Sequence, residues 1–101
     1  VKTPPMYVGV ARFDLHLVSK PGSLKEKRAL VRRLRDRIRS RVEVAAAEVD
    51  AQDLHHRAVL GVACVSADPG VARSLLEAAE RVLDSEPRVE VLERELEVEA
   101  W

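Results

Sequence analysis

Residues 7–18, YVGVARFDLHLV, alternate between apolar and polar positions, with Phe13, Leu15 and Leu17 on one side and Arg12, Asp14 and His16 on the other. A period of two predicts a half-buried strand. Lys20-Pro21-Gly22 then gives a turn signal, and the period lengthens. Between Ser23 and Arg41, the residues Leu24, Leu30, Val31, Leu34 and Ile38 fall on one face of a helix. Ser23 followed three positions later by Glu26 forms an S-x-x-E capping box that starts it. Residues 42–50, VEVAAAEVD, predict a second strand, although Ala45 to Ala47 favour helix locally. Residues 57–66, RAVLGVACVS, are apolar on both faces and predict a central strand.

Asp68-Pro69 marks a second helix start, a cap followed by proline in the first turn. This helix is expected to run to about Asp84 with Val71, Leu75, Ala78, Ala79 and Val82 inward. Pro87 closes the connection, and residues 88–99 alternate again. Leu92, Leu96 and Val98 are expected inward, with Glu93, Glu95, Glu97 and Glu99 outward. The order β-α-β-β-α-β predicts an α+β, ferredoxin-like fold. Its four-stranded, mostly antiparallel sheet should have strand order 4-1-3-2 and carry both helices on one face, since crossovers are right-handed. A single domain is expected over residues 7–101, preceded by a frayed extension over residues 1–6.

Composition narrows the picture. A chain of 101 residues has room for one domain. Tyr7, Phe13 and Trp101 are its only aromatic residues, so Val, Leu and Ala must build the core. Asparagine is absent, and abundant Arg and Glu fit a thermophile or a GC-rich genome. The single cysteine, Cys64, sits in an apolar run and reads as a small core residue. Neither a membrane-length apolar stretch nor a cleavable signal is visible, and a cytoplasmic protein is expected.

Charge is sorted along the chain. The formal net charge is zero, yet residues 1–57 carry 13 Lys and Arg against 7 Asp and Glu, and residues 58–101 carry 4 against 10. The first helix concentrates the positive charge in Lys25, Lys27, Arg28, Arg32, Arg33, Arg35, Arg37, Arg39 and Arg41, against Glu26 and Asp36 alone. Lys25, Arg28, Arg32, Arg35 and Arg39 follow at steps of three and four and form one stripe; Arg33, Arg37 and Arg41 form another. Such a face is the electrostatic footprint of a phosphate-rich partner. The bland alternative is a solvated helix face whose arginine rows are salt-bridged to Glu77, Glu80 or a neighbouring molecule.

Other chemistry is weakly signalled. The turn from Ser19 to Ser23 opens onto a helix start, where free amides can hold phosphate, but its spacing matches no nucleotide-binding loop. His16, His55 and His56, with Asp14, Glu48 and Asp50, lack metal-ligand spacing, so no metal is expected, and polar residues on an exposed sheet face are the simpler reading. No aromatic run offers a base-stacking platform. Acylphosphatase-like chemistry needs an asparagine that the chain lacks.

Four stretches, VGVARFDLHL, SLKEKR, VAAAEVDAQDL and RAVLGVACVS, resemble the YlxP-like family of small bacterial proteins, a domain of unknown function. The resemblance runs from Met6 to Leu96. It implies a ferredoxin-like fold and a bacterial cytoplasmic protein, commonly encoded beside transcription- and translation-factor genes, with no established activity or cofactor. Its pattern carries over onto Ser23 to Arg28, Glu48 to Asp50 and Gln52 to Leu54, without assigned roles. His55 and His56 stand where the family often has a tryptophan and a polar residue. The expected role is therefore non-enzymatic binding of RNA or the ribosome through the basic helix. The alternative is a protein–protein adaptor or homodimer using the last strand as a sheet edge together with the charge dipole. No cofactor, small-molecule substrate or membrane is implied.

Overall fold

The computed structural model describes residues 3–101. Its elements follow in the order β1 (Tyr7–Leu17), α1 (Leu24–Arg41), β2 (Ala45–Asp50), β3 (Arg57–Ser66), α2 (Pro69–Asp84) and β4 (Val89–Ala100). All neighbouring strands are antiparallel, in the order β2-β3-β1-β4, which read from the other edge is the expected 4-1-3-2. Of the extension expected over residues 1–6, residues 1 and 2 lie outside the described residues. Met6 exchanges both backbone hydrogen bonds with Trp101, at 2.9 and 2.7 Å, and so continues the β1–β4 ladder.

Each helix starts where its cap chemistry dictates. The Ser23 hydroxyl accepts from the Glu26 N–H at 3.1 Å, and the Glu26 carboxylate reaches back to accept from the Gly22 N–H at 2.8 Å. Asp68 accepts from the N–H groups of Gly70 and Val71, and Pro69 opens α2 without losing a bond. The core lies between the sheet and the helices. Phe13, Leu15 and Leu17 of β1 meet Leu34 and Ile38 of α1, Leu60 of β3 and Leu76 and Leu83 of α2, all fully enclosed. Each contributes about 1.5–3 kcal/mol through burial. Gly9 lies beneath α2, where a Cβ would stand 2.9 Å from Cys64 Sγ and 3.1 Å from Leu76 Cδ1.

Several expected positions shift. The inward face of α2 is Ala72, Leu76, Ala79, Val82 and Leu83; Leu75 and Ala78 sit at its margin and Val71 is exposed. The helix is thus rotated from the expected stripe, because β1, β3 and β4 all press on it. In β4 the expected inward Leu92 is exposed. It is the extra residue of a β-bulge: Asp14 faces Glu93, while Leu15 faces Val91. The bulge shifts the alternation, so Val89 and Val91 point inward before it, and Leu96 and Val98 after it. On α1, Leu24 is only half-buried, and its place in the core is taken by Lys27.

Candidate polyanion-binding face

Lys27 is the largest departure from expectation. The sequence groups it with the cations available to a polyanion, yet its side chain has no solvent exposure. Its Nζ donates to Glu48 Oε2 at 2.5 Å and to the backbone carbonyls of Ala51 at 2.8 Å and Gln52 at 3.3 Å. The reason is geometric: position 27 lies on the same face of α1 as Leu30, Val31 and Leu34, over β2. Ala51 adopts a left-handed backbone (φ 60°), and its N–H is taken by Asp50 Oδ1 at 2.7 Å. The Lys27 bonds therefore hold a loop whose backbone a non-glycine residue rarely adopts. SLKEKR and EVDAQDL, distant in sequence, meet here as donor and acceptors.

Arg37 is also committed. It donates to Glu86 Oε2 at 2.7 Å, and Arg88 grips the same buried carboxylate through its side chain at 2.7 and 3.1 Å and its backbone N–H at 3.2 Å. The Arg88 hydrogen bond, opposed by burial and aided by Arg37, pulls the Glu86 carboxyl down from 4.5 to about 2. A depressed carboxyl stabilises the fold above its unfolded value and loses that contribution as pH falls toward the folded value. The wild-type protein is therefore expected to lose on the order of 2 kcal/mol between about pH 4.5 and pH 2, after allowing for screening at the partly exposed arginines. Glu86→Gln should flatten that step in urea melts across the range; an unchanged acid limb would contradict the assignment.

The remaining cations of α1 stand in water. Lys25, Arg28, Arg32, Arg33, Arg39 and Arg41 are exposed, and none has a carboxylate within 4.0 Å among the described residues. Arg35 is half-buried and, among the described residues, meets only the carboxylate of its neighbour Asp36, at 3.0 Å, a surface pair of small energy. Glu80, a candidate neutraliser, is instead taken by Arg94 of β4 at 2.7 Å. The helical turn of 100° per residue separates the flanks. Arg37 faces the connection after α2, so Arg28, Arg32, Arg35 and Arg39 line the opposite flank, along the β2 edge. Arg33 instead joins Lys20 and Arg88 around a shallow notch beside the Ser19–Ser23 turn.

The chain matches the pattern of the family described as a protein of unknown function (DUF503) over residues 8–96. It belongs to that family. It is 32% identical to the uncharacterized protein YlxP of Bacillus subtilis (strain 168) over 83 residues, which cover 82% of this chain and 89% of YlxP. Among solved structures it is similar to a C-terminal segment of the alpha subunit of aIF2 from Pyrococcus abyssi. That likeness has a TM-score of 0.45 and 21% identity, and covers 95% of this chain and 51% of the other, so the chain spans about half of that segment's length.

The family signatures now have a physical content. Ser23 and Glu26 cap α1, Lys27 and Glu48 pair, Asp50 and the backbone carbonyl of Gln52 shape the loop, and Ala58 is fully buried. Arg57 holds Asp14 across β1 and β3 through two hydrogen bonds, at 3.2 and 2.5 Å, which raise the arginine's pKa. Each of these residues builds the fold.

The histidine cluster does not assemble: Asp14 is held by Arg57, Glu48 turns to the helix side, and no group of three metal-ligating side chains forms among the described residues. Cys64 is buried and donates to the Ala72 carbonyl at 3.4 Å, and burial pushes its thiol pKa up, despite a hydrogen bond with the Gly9 backbone. No helix is long and apolar enough to cross a membrane among the described residues.

The uncovered sheet face carries the expected polar residues, among them Arg12, Asp14, His16 and the β4 glutamates, and beside them an apolar patch that was not expected. Three strands present small or apolar residues: Ala45 faces Ala63, which faces Val10, and Ala47 faces Gly61. Gly61 is required because Val49 lies across it, its Cγ1 2.9 Å from where a Cβ would stand. The signal was in the sequence. A strand apolar on both faces, like Arg57–Ser66, leaves apolar surface bare when both helices cover the other side.

Proposed function

We propose that this protein is a non-enzymatic binding module that takes the phosphate backbone of RNA, free or within the ribosome, on the exposed guanidinium groups of α1. The observation that carries the reading is the set of exposed α1 cations without an acid partner among the described residues. Unneutralised arginines in a row suit phosphate oxygens, because the planar fork donates two parallel bonds and its face stacks on bases. The uncovered sheet face presents no row of aromatics for base stacking, so recognition rests on backbone charge and shape rather than on sequence.

The alternative, homodimer formation along β4, is disfavoured by its charges: antiparallel pairing of β4 with its own copy sets the outward glutamates against one another. Filter binding of a single-stranded RNA across a potassium chloride series tests the proposal. Four to six phosphate contacts give a slope of about −3 to −4 in log affinity against log salt. Binding that ignores salt, or no binding at low salt, contradicts it.

A further inference from the structure

We infer that the uncovered face of the sheet is a docking surface for a cationic amphipathic protein segment, independently of any polyanion on α1. The face is a shallow trough of about 670 Å³, floored by small residues of β2 and β3 and walled by Val10 and Val49. Val10, Val49 and Val65 are all more than 40% exposed. Exposed apolar surface of this kind, contiguous over three strands, marks an interaction site.

Its charge specifies the occupant. Glu93, Glu95, Glu97 and Glu99 stand in one row along β4 beside the trough, all exposed, and none has a cation within 4.0 Å among the described residues. Arg12, opposite Glu95, also lines the trough, and the Arg57 charge acts on Glu93. Four carboxylates thus face two cations, and the edge keeps an acidic excess centred on Glu97 and Glu99. Alternate residues of a strand lie roughly 7 Å apart, so the row repels itself and gains from a cation. An apolar strip bounded by a carboxylate row is complementary to a segment with an apolar stripe and a Lys- or Arg-rich flank. A second copy of this chain lacks that shape, since the apolar stripe of its own basic helix is already spent in the core.

A third feature sits at the corner. Trp101 is 82% exposed, yet its backbone is held in the ladder by Met6. Strand alternation places it in line with Glu97 and Glu99, on the uncovered side. An exposed tryptophan on an ordered backbone is suited to anchor an interface.

The test is titration of the full chain with an 18-residue Leu/Lys amphipathic helical peptide and with its Leu/Glu counterpart. Calorimetry and the emission of Trp101, the only tryptophan, are the readouts. The Leu/Lys peptide is expected to bind and shift the emission to the blue, and the Leu/Glu peptide to do neither. Glu95→Lys with Glu97→Lys should weaken binding at least tenfold, and so should Val10→Gln with Ala47→Gln, all at exposed sites. Val49→Gln replaces the latter pair if a melt shows it unfolded. Absence of Leu/Lys binding, equal binding of both peptides, or insensitivity to the neutral substitutions would overturn the inference. So would sedimentation showing a dimer of this chain that already covers Trp101.

Discussion

Lys27→Met is expected to destabilise the protein by about 3 kcal/mol or more, a larger loss than any exposed arginine of α1 can produce. The substitution keeps the aliphatic volume and removes only the donor. What remains is a part-buried Glu48 carboxylate without its cation, and the carbonyls of Ala51 and Gln52 without the Lys27 bonds. An uncompensated carboxylate and orphaned carbonyls each cost more than the net worth of the bonds they lost. For a domain of this size the melting temperature should fall by roughly 12–24 °C. Thermal and urea melts read this directly. The double variant Lys27→Met with Glu48→Leu should recover part of the loss, because removing both charges avoids stranding either one. A loss below about 1 kcal/mol for Lys27→Met would show that the pair is not what holds the loop.

The second large effect concerns binding. Arg28→Glu, Arg32→Glu and Arg39→Glu together are expected to reduce RNA affinity at least about 100-fold at roughly 0.1 M salt, and to shrink the salt slope by about 2. All three are exposed, lack an acid partner among the described residues, and lie on the flank along the β2 edge. Their reversal should leave the melting temperature nearly unchanged, because no internal contact is lost. Arg37→Glu makes the contrast: it strikes the buried Glu86 carboxylate and should lower stability. If the triple reversal binds RNA like the wild type, the guanidinium row is a solvated surface and the proposed function falls. Unfolding of the triple variant would instead contradict the free, exposed state of these side chains.

These contrasts separate what was legible along the chain from what was not. Turn and cap chemistry act over three or four residues, so Ser23, Glu26 and Asp68 announced both helix starts. Alternation from Phe13 to Leu17 identified a buried strand face, since burial in a sheet repeats every second residue. The basic helix was equally plain as composition. Which of its cations are free was not, because Lys27 and Arg37 find their acids 21 and 49 residues away. Glu48 and Glu86 look like any surface glutamate until α1 is laid over them.

The order and type of all six elements, and with them the strand order, follow from local periodicity, capping and the handedness of crossovers. Those are short-range properties, and the amino-acid sequence by itself determined them. Only the tertiary structure decided that Lys27 is a buried strut, that Leu92 is a bulge and that the bare sheet face holds an apolar patch beside its charges. Each depends on register between segments far apart in the chain, where a shift of one residue turns a side chain from water to core.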